Sequence, residues 1–137
     1  MNHPLSFLGE TVKKATKTAI NVLESSQAAP IKAAKAYFGT DPHLEKGDHI
    51  SVYCGYMHHG LYIGNGLVIH YTKSNGKGRI QVDSLETFKN GKAIEQRHSS
   101  LKRSRDEAIN KAYGRLGESQ YNLIFNNCEH FVTWCRG

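Results

Sequence analysis

The polar run Asn-Asn-Cys-Glu-His places a cysteine where the last helix of the chain is expected to begin. Asn126 or Asn127 is a suitable N-cap, so Cys128 falls in the first helical turn. A thiol there faces unpaired main-chain N–H groups and the positive end of the helix dipole, which both stabilise a thiolate. A buried structural cysteine is the competing interpretation, and it suits Cys135 better because the surroundings of Cys128 are too polar for a core. We therefore predict that Cys128 is a nucleophile.

A nucleophilic cysteine needs a base, and the base needs a group that orients it. Two candidate bases, His58 and His59, lie on a predicted strand, and His70 lies on the next strand. The Gly-Asn-Gly sequence at residues 64–66 is typical of the turn of a β-hairpin that joins these strands. A pair of surface histidines is the alternative interpretation if Cys128 is disregarded.

The length of the hairpin loop decides which histidine faces His70. A three-residue loop pairs Ile63 with Leu67, which places His58 on the face of His70 and turns His59 away. In that register Gly60 leaves open space beside His70. A two-residue loop shifts the register by one residue and selects His59 as the base. The residues alone leave both registers open.

The elements that must position these side chains follow from periodicity and capping signals. Alternating β-like runs give way to a capping box at residues 104–107, which predicts a helix. Tyr53 and Asn127 are candidate helpers of an oxyanion site. The order of elements predicts an α+β fold with an antiparallel sheet and a C-terminal helix that carries the nucleophile. The expected strands are residues 48–53, 59–63, 67–71 and 79–82, followed by a helical turn at 84–88, a helix at 105–116 that stops at Gly117, an extended stretch at 121–125 and the last helix.

Length and composition indicate one globular domain of 137 residues. The apolar fraction of 39% is ordinary for a globular protein, and no window is apolar enough to span a membrane. Three cysteines without a secretory signal suggest free thiols in a reducing, cytoplasmic compartment. The net charge of +6 favours an acidic partner, but no nucleic-acid-binding motif is present. The sequence also lacks the C-x-x-C and H-x-x-x-H spacings of a metal site, so we expect none.

Residues 5–38 are predicted to be helical, in two pieces, within an N-terminal arm that spans residues 1–42. Apolar residues recur at intervals of three and four, with lysines between them. Packing against the domain is one interpretation of this pattern. Peripheral association with an anionic membrane surface is the other.

The string NNCEHFVTWCR at residues 126–136 resembles the signature of the lecithin:retinol acyltransferase family, which includes the small phospholipase A/acyltransferases. The upstream string GDHISVYCGYMHHGLYIG, followed by VIHY, is similar to the family's Gly-Asp start and its His-x-Gly strand. VDSLETF at residues 82–88 is similar as well. The resemblance covers residues 44–137, and the stretch from Gly47 to His58 is one residue shorter than is usual in the family.

This resemblance implies a circularly permuted papain-like catalytic domain over residues 43–137. The family's base falls on His58, its second histidine on His70 and its nucleophile on Cys128. The implied reaction is the transfer of an acyl chain from a phospholipid through a cysteine thioester to an alcohol, an amine or water. Neither a metal nor an organic cofactor is expected.

Two other functions remain open at this point. Permuted papain-like domains include cysteine peptidases and isopeptidases, which attack amides instead of esters. The scaffold can also serve as a lipid- or partner-binding module without activity. Incubation with phospholipid vesicles or with peptide substrates distinguishes the three.

Overall fold

The computed structural model describes residues 39–73, 77–123 and 126–137. The arm helices predicted within residues 5–38 lie outside the described residues. In the part of the chain that is described, no helix has the length and apolarity needed to cross a bilayer. The elements are β1 (His49–Tyr53), β2 (Met57–Gly64), β3 (Leu67–Thr72), β4 (Arg79–Ser84), α1 (Leu85–Lys89), β5 (Ile94–Arg97), α2 (Arg105–Tyr113) and α3 (Cys128–Arg136).

The five strands form one sheet in the order β4-β3-β2-β1-β5, and every neighbouring pair is antiparallel. The sheet and the helix at its C-terminal end confirm the predicted α+β class. Strand β5 was missing from the prediction. It contains four residues, of which only Ile94 is buried, so it is too short and too polar to show an alternating pattern.

The β2–β3 hairpin turns on two residues, so the structure has the shorter of the two loops that the sequence left open. Asn65 and Gly66 both have positive φ angles, 53° and 73°, as a type I′ turn requires. Gly64 therefore pairs with Leu67, and Ile63 does not.

A β-bulge nevertheless restores the expected register farther along the hairpin. The register shifts between Tyr62 and Gly64, so Tyr62 lies opposite Val68. Side chains alternate between the faces of a strand, which puts His58 on the same face as Val68 and His59 on the other. The hairpin combines the shorter loop with the facing that the longer loop predicted.

The sheet has a core on each face. Helix α3 covers one face and α1 covers the other. Successive residues of β3 therefore pack into different clusters, Val68 with α1 and Ile69 with α3. The first cluster contains Leu61, Ile69, Tyr71, Ile80, Ala112, Cys128, Phe131, Val132 and Cys135. The second contains Ile50, Val52, Val68, Phe88 and Ile94.

Serine N-caps begin the first two helices. Ser84 accepts a hydrogen bond at the start of α1, and Ser104 does so at the start of α2, as the capping box predicted. Helix α2 ends at Gly114, three residues before the predicted stop. The main-chain N–H of Gly117 instead donates to the Ile80 carbonyl oxygen at 2.8 Å, which ties the end of the helix to β4.

Candidate active site

Cys128 is the first residue of α3, and Asn127 is its N-cap. The Asn127 side chain accepts a 3.0 Å hydrogen bond from the main-chain N–H of His130 and donates one of 2.9 Å to the Leu123 carbonyl oxygen. The cysteine is buried, yet it lies at the end of the helix where main-chain N–H groups lack helical partners. The predicted position of Cys128 in the first turn is confirmed.

The chain that leads into α3 is held by polar contacts, and of the extended stretch predicted at residues 121–125, residues 124–125 lie outside the described residues. Asn122 and Asn126 exchange two main-chain hydrogen bonds of 2.9 Å. The Asn126 side chain accepts a hydrogen bond from Arg115 and donates one to Glu118, and these two residues form an ion pair. This network holds the entry to the helix in one position.

The Cys128 thiol lies against the main chain of β2. Burial raises the pKa of this thiol, and hydrogen bonds from the main-chain N–H groups of His59, Glu129 and Cys128 itself oppose the rise. The N–H of His59 belongs to the peptide that joins His58 to His59. The two imidazoles leave β2 on opposite faces, and His59 is the one of the two that lines a pocket with Cys128.

His58 and His70 form a hydrogen-bonded pair on the face that α1 covers. His58 Nε2 and His70 Nδ1 are 2.8 Å apart, and His70 Nε2 lies 2.7 Å from Asp83 Oδ2. Gln81 donates a second hydrogen bond of 2.7 Å to the same carboxylate oxygen. His58 Nδ1 is buried and has no hydrogen-bond partner among the described residues. The structure thus brings together the histidines that the register argument paired.

Phe88 fills the space beside these histidines, so the open space expected at Gly60 is not there. The Phe88 ring centroid lies 5.3 Å from that of His58 and 5.4 Å from that of His70. A Cβ atom on Gly60 would lie 2.8 Å from Phe88 Cε1. The glycine therefore permits the phenylalanine to pack directly on both imidazoles.

The burial of this pair keeps both rings neutral. Burial lowers the pKa of His58 to about 3, and the neighbouring His70 and His59 contribute. Burial also lowers the pKa of His70, against the opposing effect of Asp83. A neutral imidazole retains one unprotonated nitrogen, which a general base requires.

His59 belongs to a second pair on the face of α3. Its Nδ1 lies 2.8 Å from His49 Nε2, and His49 Nδ1 lies 2.8 Å from Ser99 Oγ. Arg136 Nε donates a 2.9 Å hydrogen bond to the same hydroxyl. Burial lowers the pKa of His59 to about 4 and that of His49 to about 3.

A pocket of about 290 Å³ opens beside the thiol. Two of its lining side chains are exposed and largely apolar: Leu123 is 73% exposed and Tyr56 is 54% exposed. Lys73 adds a cationic group to the wall. The complete lining is Tyr56, Met57, His59, Lys73, Tyr121, Leu123, Asn127, Cys128 and Glu129.

The two predicted oxyanion helpers lie in different surroundings. Tyr53 ends β1 opposite Met57 and does not line the pocket. Asn127 lines the pocket, but its side-chain amide already caps α3 and bonds to the entry loop. Tyr121 lies next to the thiol: burial raises its pKa, and the Cys128 thiol is its hydrogen-bonding neighbour.

Three residues of this arrangement were absent from the predicted site: Asp83, His49 and Tyr121. Asp83 directly precedes the helical turn predicted at residues 84–88, where a carboxylate commonly serves as a helix cap. It lies opposite Val68, and facing residues of an antiparallel pair share a side, so register alone would have placed it with His70. The pairing of His49 with His59 depends in the same way on the register of β1 with β2, which no local motif gives.

No metal-binding cluster of side chains is found among the described residues. Among those residues no group of three or more His, Cys, Asp or Glu side chains is arranged to hold a metal ion. Cys54, Cys128 and Cys135 are all free thiols, and Cys54 is exposed.

Comparison with known proteins gives consistent matches. The family model described as lecithin retinol acyltransferase matches residues 42–137. Lecithin retinol acyltransferase of Bos taurus is 44% identical over 62 residues, which are 42% of this chain and 27% of that protein. Human phospholipase A and acyltransferase 1 is 30% identical over 112 residues, which are 66% of each protein. Human phospholipase A and acyltransferase 4 is 29% identical over 118 residues, 69% of this chain and 72% of that protein. The match thus spans about a quarter of the cattle protein's length.

Proposed function

Because the chain belongs to the lecithin retinol acyltransferase family, we propose that it takes an acyl chain from a phospholipid and passes it to an alcohol, an amine or water. The observation that carries the proposal is Cys128, which begins α3 with its thiol against the peptide that joins His58 to His59 on β2. The names of the relatives, acyltransferases and phospholipases A, agree with this reaction. The histidines precede the cysteine in the chain, as they do in a permuted papain-like domain.

The reaction proceeds by nucleophilic catalysis at sulfur. The Sγ proton of Cys128 passes to His58 Nδ1 as the sulfur attacks the ester carbonyl carbon. The tetrahedral intermediate collapses, the carbon–oxygen bond of the ester breaks, and the imidazolium returns its proton to the departing lysophospholipid oxygen. The acyl chain is then a thioester on Cys128. An alcohol, amine or water gives its proton to the imidazole and attacks that thioester, which frees the thiol.

Main-chain groups at the start of α3 stabilise the negative charge of the intermediate. The N–H groups of Cys128 and Glu129 already serve the thiol and have no helical partner. The Tyr121 hydroxyl is a further donor beside the sulfur. Asn127 keeps these groups in place as the cap, and Tyr53 is the weaker candidate because it is absent from the pocket lining.

His58 is the proposed base and His70 the residue that orients it. Their hydrogen bond and the free, buried Nδ1 of His58 support this assignment. His59 is the alternative base, since it lines the same pocket as Cys128. Its ring is hydrogen-bonded to His49 and so has an orienting group of its own.

The pocket suits a phospholipid. A volume of about 290 Å³ lies at the lower end of small-molecule sites, so it accommodates the ester and only part of an acyl chain. The exposed side chains of Leu123 and Tyr56 would contact the rest of the chain at a membrane surface. Lys73 offers a positive charge to the phosphate.

Trapping of the acyl-enzyme tests the proposal. The full-length protein is incubated with vesicles of mixed phosphatidylcholine and phosphatidylethanolamine, and intact-protein mass spectrometry and lysophospholipid release are measured. We expect a thioester on the wild-type protein and a loss of turnover by about 10³-fold or more in Cys128→Ser. Cys54→Ser, at an exposed thiol, should keep both signals.

The same assay separates the other functions. Cleavage of a peptide or isopeptide substrate without lysophospholipid release would indicate a peptidase. Vesicle binding without any covalent adduct would indicate a binding module. Either result, or unchanged turnover in Cys128→Ser, would refute the proposed reaction. To identify the base, His58→Ala is compared with His59→Ala, and we expect the larger loss from His58→Ala.

For the N-terminal arm, the proposal remains the one drawn from sequence: residues 5–38 bind an anionic membrane surface through interleaved lysines and apolar residues. This agrees with a cytoplasmic protein that associates peripherally with membranes. Deletion of residues 1–39 should weaken sedimentation with vesicles that contain phosphatidylserine, while neutral vesicles serve as the control. Equal binding of both proteins would contradict it.

A further inference from the structure

A carboxylate extends the histidine pair of β2 and β3 into a chain of three side chains. Asp83 Oδ2 lies 2.7 Å from His70 Nε2, and His70 Nδ1 lies 2.8 Å from His58 Nε2. The three residues come from three adjacent strands, β4, β3 and β2, on one face of the sheet. Phe88 covers the two rings, so solvent does not replace these contacts.

The carboxylate determines which nitrogen of each ring carries its proton. Burial raises the pKa of Asp83, but hydrogen bonds from Gln81 and His70 outweigh it and the pKa lies below its ordinary value. Asp83 is therefore ionised and only accepts hydrogen bonds, so His70 Nε2 carries the proton. Because the ring is neutral, His70 Nδ1 accepts from His58 Nε2–H. The remaining nitrogen, His58 Nδ1, is left with its lone pair.

That lone pair is on a nitrogen that the structure leaves available. His58 Nδ1 is buried and unpaired among the described residues, whereas His58 Nε2 and both nitrogens of His70 are bonded. A buried polar atom without a partner calls for an explanation. A base that waits for the proton of a neighbouring thiol provides one, and the thiol lies at the peptide between His58 and His59.

The charge of Asp83 also distinguishes this pair from the second one. When an imidazole takes the thiol proton it becomes a cation, which a carboxylate two hydrogen bonds away stabilises. The His59 pair ends instead at the Ser99 hydroxyl, which accepts a hydrogen bond from Arg136. Around His59 itself, Glu129 on α3 favours a positive charge on the ring, and Arg97 opposes it less strongly.

We infer that Asp83 is a positioning residue of the active site: it sets the proton on His70 Nε2 and thereby directs a lone pair at His58 Nδ1 toward the cysteine. The residue acts through two imidazoles and does not touch the substrate. Gln81 holds the carboxylate in line with His70 through its 2.7 Å hydrogen bond. The inference rests on the proposed function of Cys128 and His58.

Asp83→Asn tests this role, because the amide removes the charge and can present an N–H to His70. An N–H there reverses both tautomers and places a proton on His58 Nδ1. Loss of the correct tautomer in a comparable triad lowers kcat by about 10⁴-fold, so we expect a fall of at least about 10²-fold in kcat with KM unchanged. Asp83→Glu keeps the carboxylate and should recover most of the loss.

Two further readouts separate positioning from a structural effect. The rate at which iodoacetamide alkylates Cys128 is measured from pH 5 to 10, and thermal unfolding is recorded for each variant. Asp83→Asn should lower the alkylation rate most near neutral pH, where the base is needed, and least above the pKa of the thiol. Ser99→Ala, which removes the hydroxyl at the end of the other histidine pair, is the matched control. It should leave the alkylation rate and kcat near those of the wild-type protein.

The inference is overturned if Asp83→Asn keeps kcat within threefold, or if its loss follows the melting temperature and Asp83→Glu does not recover it. A large loss of kcat and of the alkylation rate in Ser99→Ala, but not in Asp83→Asn, would assign the base to His59. These outcomes differ from failure of the proposed function, which is the absence of any Cys128-linked acyl group on the unmodified protein.

Discussion

Gly60 occupies a point of β2 where no larger residue fits without movement of its neighbours. A Cβ atom there would lie 2.6 Å from Val68 Cγ1 and 2.8 Å from Phe88 Cε1. Both neighbours are buried, so neither can turn into solvent. The Phe88 ring packs at 5.3 and 5.4 Å from the centroids of His58 and His70. A displacement of Phe88 therefore disturbs His58 and His70 directly.

We predict that Gly60→Ala lowers both stability and activity. Overpacking of a filled core costs about 1–3 kcal/mol. For a domain of about 100 residues each kcal/mol lowers the melting temperature by roughly 4–8 °C, so the fall should lie between about 4 and 24 °C. The value of kcat should fall more than that of a surface variant with the same melting temperature, because Phe88 supports both imidazoles.

Thermal unfolding and acyl transfer are measured for Gly60→Ala, for Phe88→Leu and for the double variant. The leucine lacks the ring edge that the new methyl group meets, so the double variant should be more stable than the sum of the single effects implies. Strict additivity of the two substitutions, or a shift below about 2 °C for Gly60→Ala alone, would refute the packing argument.

Two other predictions follow from buried histidines and from the mouth of the pocket. Burial lowers the pKa values of His49 and His58 to about 3 and that of His59 to about 4, so the unfolded chain binds more protons than the folded protein below pH 6.5. The free energy of unfolding should therefore be highest above that pH and fall by roughly 1.4 kcal/mol per pH unit for each histidine down to about pH 4. Urea unfolding at several pH values measures this dependence, and a flat profile would contradict the burial of these rings. Leu123→Ser should raise the apparent KM for phospholipid vesicles at least about threefold, with little change in melting temperature. Leu116→Ser is the control: this leucine is exposed but lies outside the pocket lining, so the KM should stay unchanged. Equal effects of the two substitutions would show that the mouth of the pocket does not contact lipid.

Local signals predicted the elements that hold the proposed catalytic groups. The Asn-Gly turn marked the hairpin that carries His58 and His70, and the polar run before Cys128 marked the start of α3. Both signals are local because a type I′ turn and an N-cap each depend on a few consecutive residues. The facing of His58 toward His70 was also available from sequence, although the hairpin reaches it through a bulge and not through a longer loop.

The contribution of Asp83 could not be read in this way. A carboxylate just before a helix is a common cap, and Ser84 proved to be the cap of α1. The role of Asp83 follows from the β3–β4 register, which depends on a connection whose length and turn set the pairing of distant residues. Strand β5 escaped prediction for a related reason: its four residues gain most of their stability from pairing with β1.

The sequence by itself determined which residue types are available for the proposed chemistry, the class of fold and the family to which the chain belongs, because these reside in short motifs and in periodic patterns. Only the tertiary structure decided that the thiol lies against the β2 main chain, with one histidine pair on either face of the sheet. It alone showed that a carboxylate is hydrogen-bonded to one histidine pair, and that a hydroxyl near two arginines is hydrogen-bonded to the other. Such contacts join residues that are tens of positions apart, and their energies depend on burial and charge that no local pattern records.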